Sequence, residues 1–263
     1  MARYRTRNKI TLVVAPVIFV FLVLAAWWFF TYFSGVEAWR LPSPQQVFVR
    51  GTDMLTHLWL WQRVGVTAYE AILGAVLGAV CALPLSWMIY RSVVLAAAVE
   101  PFLGATQALP AIAVAPLLVL WLGYGIWAIS ALCALMVFFP ILVSTVLGLR
   151  HIDPQVLEAA ELDGASGWTL LWTMEAPLAA PAILAGLRNG FTLSVTGAVV
   201  GEMVMGGTGL GQVLVQARTN VDTVSLFVTI FLLCAMATVI YVTVHRIEHR
   251  YRRDALSYSM GSQ

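Results

Sequence analysis

EAAELDGASGWTLLWTMEAP, running from Glu158 to Pro177, is one of the few wet stretches in a chain built mostly of long apolar runs. Just upstream, Asp153-Pro154 marks a helix start, an acidic N-cap followed by proline at the first helical position. The helix is expected to run to about Asp163, where Gly164 suits the left-handed position after the C-cap. Val156, Ala159, Ala160 and Asp163 then share one face, and Glu158 and Glu161 point towards water. A second short helix is expected after Ser166, with Trp168, Leu171 and Trp172 on one face, ending before Pro177. The segment therefore reads as helix, glycine break, helix. Two roles fit it. One is an interfacial loop with its tryptophans at headgroup level. The other is a docking element whose small alanines let it sit deep in a partner's groove.

Composition says what lies on either side. The chain has 263 residues, 60% hydrophobic and 11% charged, whereas a soluble domain carries about a quarter charged residues. Several apolar runs reach the roughly 20 residues needed to cross a hydrocarbon core of about 30 Å. They lack the two-residue alternation of barrel strands, so helices are expected. Six spans are expected, over 10–33, 65–90, 95–122, 126–149, 178–201 and 224–245, forming one transmembrane domain over residues 1–263. The run after Arg3, Arg5, Arg7 and Lys9 is longer than a secretory h-region, so the first span is expected to stay uncleaved.

Charge placement sets the orientation. Arg3, Arg5, Arg7, Lys9, Arg91, Arg150, Arg246, Arg250, Arg252 and Arg253 fall on one side of a six-span bundle. Arg40, Arg50, Arg63 and Arg218 fall on the other. The bias places both termini, and the 150–177 segment, in the cytoplasm. No basic, aromatic-interleaved patch suits nucleic acid. Cys81, Cys133 and Cys234 lie far apart inside apolar runs, so they indicate neither a disulfide framework nor a metal site.

Some spans carry small or kinking residues. Gly74, Gly78 and Ala82, at four-residue spacing, allow close approach of another helix. Pro101, Pro110 and Pro116 interrupt the third span, and Pro177 and Pro181 stand at the entry to the fifth. GGTGLG, Gly206 to Gly211, forms an outer turn after the fifth span.

Several ordered motifs carry a resemblance. Glu158, Ala159, Ala160, Gly164 and Pro177 match the EAA loop of ABC importer permeases, with Met174 and Ala176 in place of its isoleucine and leucine. LPSPQQV from Leu41, EPFLGATQALPAIAVAPLLVLWLGYG from Glu100, GLRNG from Gly186 and GEMVMGGTGLG from Gly201 resemble permeases of the nitrate, sulfonate, taurine and bicarbonate group. The chain departs from that group at Glu70 and Gln107, positions that are often arginine there, or asparagine at the second. It also has Ile126, Trp127 and Ala128 where polar residues usually follow Gly125.

The resemblance implies a type I ABC importer transmembrane fold in a bacterial plasma (inner) membrane. Two permease copies would pair, with two ATP-binding subunits inside and a periplasmic or extracellular solute-binding protein outside. Glu158, Ala159, Ala160, Asp163, Gly164 and Trp168 would form the cytoplasmic coupling helix and its surroundings. A Walker A loop needs a lysine after its glycines, and the single lysine is Lys9, so ATP and Mg are expected on the partner and no cofactor on this chain. The expected cargo is a small organic or inorganic anion, such as a sulfonate, taurine or nitrate, with a thiamine-precursor pyrimidine as the alternative. Arg188, Asn189, Thr192 and Thr196 form a polar stripe on the fifth span that either lines a wet path or satisfies hydrogen bonds between and within helices. Arg188 either attracts an anion or snorkels to the cytoplasmic surface. Glu202 is the candidate outer gate. An ion-coupled secondary carrier is disfavoured by the lack of repeats and of midplane carboxylates, and a membrane enzyme by the lack of a clustered polar site.

Overall fold

Helices account for all the regular structure among the described residues, as apolar runs without strand alternation require. The computed structural model describes the backbone of residues 9–37, 39–106 and 111–260. In chain order the helices are α1 (Lys9–Phe33), α2 (Pro44–Thr56), α3 (Leu58–Arg91), α4 (Val93–Thr106), α5 (Ala111–Leu122), α6 (Ile126–Arg150), α7 (Pro154–Leu162) and α8 (Gly167–Leu170). A π turn over Leu171–Glu175 leads into α9 (Ala176–Met205), followed by α10 (Leu210–Thr219) and α11 (Thr223–Met260).

The chain divides into two compact units. One takes the described part of Met1–Leu60 together with Leu214–Phe231. Here LPSPQQV starts α2 with a capping box. The Ser43 hydroxyl accepts the Gln46 amide at 3.4 Å, the Gln46 side chain accepts the Ser43 amide at 3.0 Å, and Pro44 sits at the first helical position. Arg50 of α2 donates to Ser225 Oγ at 3.1 Å. Trp27 of α1 donates to the Pro42 carbonyl at 3.2 Å and stacks on Phe227 with ring centroids 5.7 Å apart.

The second unit takes Trp61–Val213 and Leu232–Gln263. Its centre is the packing of α6 against α9, which small residues make possible. A Cβ at Gly186 would lie 2.8 Å from Ser144 Cβ, one at Gly190 2.9 Å from Val137, and one at Gly197 3.0 Å from the Cys133 Cα. Any side chain there would push the two backbones apart, so the glycines set the interhelical distance. Gly74 and Gly78 of α3 meet the same α6 surface: a Cβ at Gly78 would lie 2.7 Å from the Ala134 carbonyl oxygen. Ala71, Ile129, Leu132, Cys133, Val195 and Ala198 are buried between these helices.

The expected all-helical membrane class stands. Among the described residues, four helical runs are long and apolar enough to cross a membrane: Leu58–Arg91, Ile126–Arg150, Gly167–Met205 and Thr223–Glu248. Two shorter apolar stretches, Val17–Phe33 and Ile112–Leu122, fall within the expected first and third spans. The expected third span, 95–122, is carried by two helices, α4 and α5. Gln107 and Pro110 lie outside the described residues.

Two boundaries differ from expectation. The second short helix of the 150–177 segment does not stop before Pro177 but continues into α9. Proline lacks an amide hydrogen and clashes with the carbonyl four residues back, so it normally ends a helix. Here the π turn over Leu171–Glu175 widens the coil just ahead of Pro177, with the Ala176 amide bonded to the Leu171 carbonyl, and the helix passes through. The other difference is at α11, which runs on to Met260, past the expected span end at 245. His245 therefore lies within this helix, where its ring stacks on Tyr241 with centroids 6.0 Å apart.

Candidate functional site

The α7–α8 segment is built by local capping. Asp153 Oδ1 accepts the Gln155 amide at 3.0 Å, and Pro154 occupies the first helical position. The helix closes in a Schellman motif: the Gly164 amide bonds the Glu161 carbonyl and the Ala165 amide bonds the Ala160 carbonyl, both at 3.0 Å. The motif needs a left-handed residue at its turn, and Gly164 has φ +91° with open space where a Cβ would stand.

Glu158, Ala159, Glu161, Asp163 and Trp168 are exposed, whereas Ala160 is buried. Val156, Ala159 and Asp163 open onto a cleft also lined by Thr173 and Met174. The segment shows more apolar surface than a solvated loop should: Leu162 is 90% exposed, Trp168 65% and Trp172 69%.

Residues not singled out by their sequence pattern complete this region. Glu175 in the π turn is buried, and its carboxylate meets Arg91 Nη2 at 2.9 Å and the Trp87 indole N–H at 3.1 Å. Trp87 in turn stacks on Trp168 with centroids 5.3 Å apart. The only advance signals were an acidic residue two places before Pro177 and an arginine ending the second span, and neither one implies the other.

The α9 stripe does not behave as one set. Arg188 Nη1 pairs with Glu248 of α11 at 3.0 Å, lies 3.2 Å from His245 Nδ1, and its guanidinium stands over the Tyr241 ring. The Thr192 hydroxyl bonds back to the Arg188 carbonyl at 2.8 Å, which is the within-helix use of a hydroxyl. Asn189 and Thr196 are exposed.

Glu202 is fully buried and lies apart from that stripe, at the end of α9. Its Oε1 accepts the Thr67 hydroxyl at 2.6 Å and its Oε2 accepts the Gly211 amide at the start of α10. The Thr67 hydroxyl also accepts the Leu210 amide at 2.8 Å, and Arg63 donates to the Thr208 carbonyl at 2.9 Å. Three of the four glycines of GGTGLG, Gly207, Gly209 and Gly211, are explained by this carboxylate, and Gly206 takes φ +76° at the turn. A Cβ at Gly207 would stand 2.6 Å from Glu202 Cγ, one at Gly211 2.8 Å from Glu202 Cβ, and one at Gly209 would overlap both Glu202 and Thr67. Glu70 is buried beside this group with its Oε2 unpartnered. Among the described residues, no three His, Cys, Asp or Glu side chains are placed to hold a metal ion.

Comparison with known proteins finds matches over most of the chain. The family described as "Binding-protein-dependent transport system inner membrane component" matches residues 74–253. The riboflavin transport system permease protein RibX of Chloroflexus aurantiacus is 38% identical over 227 residues, covering 86% of this chain and 85% of that protein. The formylaminopyrimidine transport permease protein ThiX of Halalkalibacterium halodurans is 32% identical over 234 residues, covering 89% and 93%. In fold, the chain is similar to a subunit of the inward-facing MetNI methionine ABC transporter, with a TM-score of 0.66 at 19% identity over 73% of this chain and 95% of that one.

Proposed function

This chain belongs to the family of binding-protein-dependent transport system inner membrane components, and from that premise we propose how its two polar regions serve import. It is the membrane-embedded permease subunit of an ABC importer, not an enzyme, and the ATPase lies in a partner subunit. Two copies of this chain pair in a bacterial inner membrane with their termini in the cytoplasm. Each presents its α7–α8 segment to one ATP-binding subunit, and a solute-binding protein delivers cargo to the opposite face.

The observation that carries the docking role is the exposed apolar set Leu162, Trp168 and Trp172 on a rigidly capped helical element. Closure of the ATP-binding pair drags the two docked segments together, and the spans follow. Moving such an equilibrium from 1:99 to 99:1 takes about 5.5 kcal/mol of differential binding. The test is co-purification and uptake. Gly164→Trp is expected to release the ATP-binding subunit, whereas Gly164→Ala, which carries the same left-handed backbone strain without the bulk, keeps it. Unchanged co-purification and uptake in Gly164→Trp and in Glu158→Lys, at equal expression, would overturn docking.

For cargo, the reading is a small planar heterocycle of the flavin or pyrimidine kind, in preference to a sulfonate or nitrate. RibX and ThiX are named for such solutes and are similar over most of both chains. Arg188, the cation read as one that could attract an anion, is ion-paired with Glu248. Thermal-shift screening of the cognate solute-binding protein against riboflavin, a formylaminopyrimidine and taurine decides the matter. A shift with taurine alone restores the anion reading.

A further inference from the structure

We propose that Arg91 and Glu175 form a brace that carries movement of the α7–α8 segment into α3, a helix that does not flank the segment in sequence. The proposal rests on the reading that this segment docks the ATP-binding subunit. By connectivity alone, displacement of α7 and α8 reaches only α6 before them and α9 after them. The side chains add a third route. Glu175 is 1% exposed and stands in the π turn, where the helix is wound most loosely. Both of its oxygens are held by α3: Oε1 by Arg91 Nη2 at 2.9 Å and Oε2 by Trp87 Nε1 at 3.1 Å, a partner 88 residues away in the chain.

The aromatic groups close the circuit. Trp87 stacks on Trp168 at the start of α8, at 5.3 Å and 27°, and the Arg91 guanidinium lies 5.9 Å from the Trp87 ring centroid. A push on α8 is therefore felt at Trp87 through stacking and at Arg91 through the π turn. A carboxylate this buried is costly without its cation, so the pair holds as a unit. It cannot stretch gradually while α8 moves. Together Glu175, Trp87 and Arg91 make the end of α3 part of the same rigid body as the docking segment. They are positioning residues, acting on the transport cycle through the helices they join.

The experiment uses the assembled transporter in proteoliposomes, with its ATP-binding subunit and solute-binding protein. It compares wild type, Arg91→Glu, Glu175→Arg, the double exchange, and the milder Glu175→Gln, which keeps an acceptor for Trp87. Two quantities are read: ATP-binding subunit retained on purification, and ATP hydrolysed per solute imported. The brace predicts full retention in every variant. It also predicts that ATP consumed per solute rises about tenfold in the single variants, the size of a typical coupling between sites. The double exchange should return that ratio close to wild type, whereas a merely structural role would lower retention and leave the ratio unmoved.

An unchanged ratio in Arg91→Glu and Glu175→Gln overturns the brace, as does a double exchange that fails to recover. Loss of the ATP-binding subunit from Glu175→Gln also overturns it, because the residue would then belong to the docking surface. The docking reading stands or falls separately, on Gly164→Trp.

Discussion

The hydroxyl of Thr67 on α3 donates to the Glu202 carboxylate at 2.6 Å, and both side chains are fully buried. The same oxygen accepts the Leu210 amide, so one hydroxyl joins α3, the end of α9 and the start of α10. A carboxylate at the first amides of a helix also complements the helix dipole. The glycine-rich turn is thus a fitted cover over a buried carboxyl group. Gly207, Gly209 and Gly211 are required by the space Glu202 occupies.

Thr67→Val preserves the shape of this joint and removes its chemistry. Glu202 Oε1 and the Leu210 amide lose a partner in a buried setting, which costs about 2 kcal/mol. The detergent-purified variant is expected to unfold at a clearly lower temperature than wild type, and Thr67→Ser to stay near it. Gly209→Ala should be worse than either, because its Cβ has no room between Glu202 and Thr67. Thermal unfolding followed by tryptophan fluorescence measures all three.

Arg188 and Glu248 provide a second test. The pair is 3.0 Å apart, with side chains 21% and 9% exposed. Removing one partner of a buried pair costs about 3–5 kcal/mol; the partial exposure of Arg188 brings the expectation nearer 2 kcal/mol. Arg188→Ala and Glu248→Ala should each lower the unfolding temperature. The double variant should lose less than the sum of the two, because it strands no charge. Additive losses would mean that the two side chains do not depend on each other.

What was legible in advance followed the range of the interactions. The ends of α7 could be read because capping acts over three or four residues: Asp153 reaches Gln155, and Gly164 closes on Glu161. The membrane class and the close approach at Gly74 and Gly78 followed from runs and spacings within one segment, whereas the closer fit of Gly186, Gly190 and Gly197 against α6 was not read. The Thr67–Glu202 joint spans 135 positions. Glu202 was noticed only as an acid beside glycines, and nothing local showed that the turn folds back over it. The pairing of Glu175 with Arg91, an arginine read only for its side of the membrane, escaped notice for the same reason. The continuation past Pro177 was missed because a π turn has no sequence signature strong enough to outweigh a proline. Arg188 was read as a path or surface cation because Glu248, one helix away, had no visible claim on it.

Val221 takes φ +57° at the turn between α10 and α11. The turn is a Schellman closure, with the Val221 amide on the Arg218 carbonyl at 3.2 Å and the Asp222 amide on the Ala217 carbonyl at 2.9 Å. A β-branched residue is poorly suited to that left-handed position. Val221 is also 60% exposed, so its side chain contributes little packing in return. Val221→Gly is therefore expected to stabilise by about 1 kcal/mol after the greater chain entropy of glycine is counted. A lower unfolding temperature would mean that the valine side chain has a partner that outweighs the strain.

Asp222, the next residue, makes the stability of this corner depend on acid. Its Oδ1 accepts the Ser225 amide at 3.0 Å, which caps α11, and its Oδ2 lies 3.9 Å from Arg50 Nη2. Partial burial pushes its carboxyl upward, but the Ser225 hydroxyl and amide, together with the Arg50 charge, more than offset that and hold it below the ordinary aspartate value. A carboxyl depressed in the folded state binds its proton more tightly when unfolded. Its contribution is therefore complete above the unfolded value of about 3.9 and is lost as pH falls through the folded value. Asn is an equally good N-cap but does not titrate. Asp222→Asn should lower the unfolding temperature near neutral pH, with the gap to wild type closing as pH falls through the depressed folded value. Other carboxylates titrate alike in both proteins, so the pH dependence of the difference isolates Asp222. A gap that stays constant over that range would mean that the aspartate acts here through shape and hydrogen bonding alone.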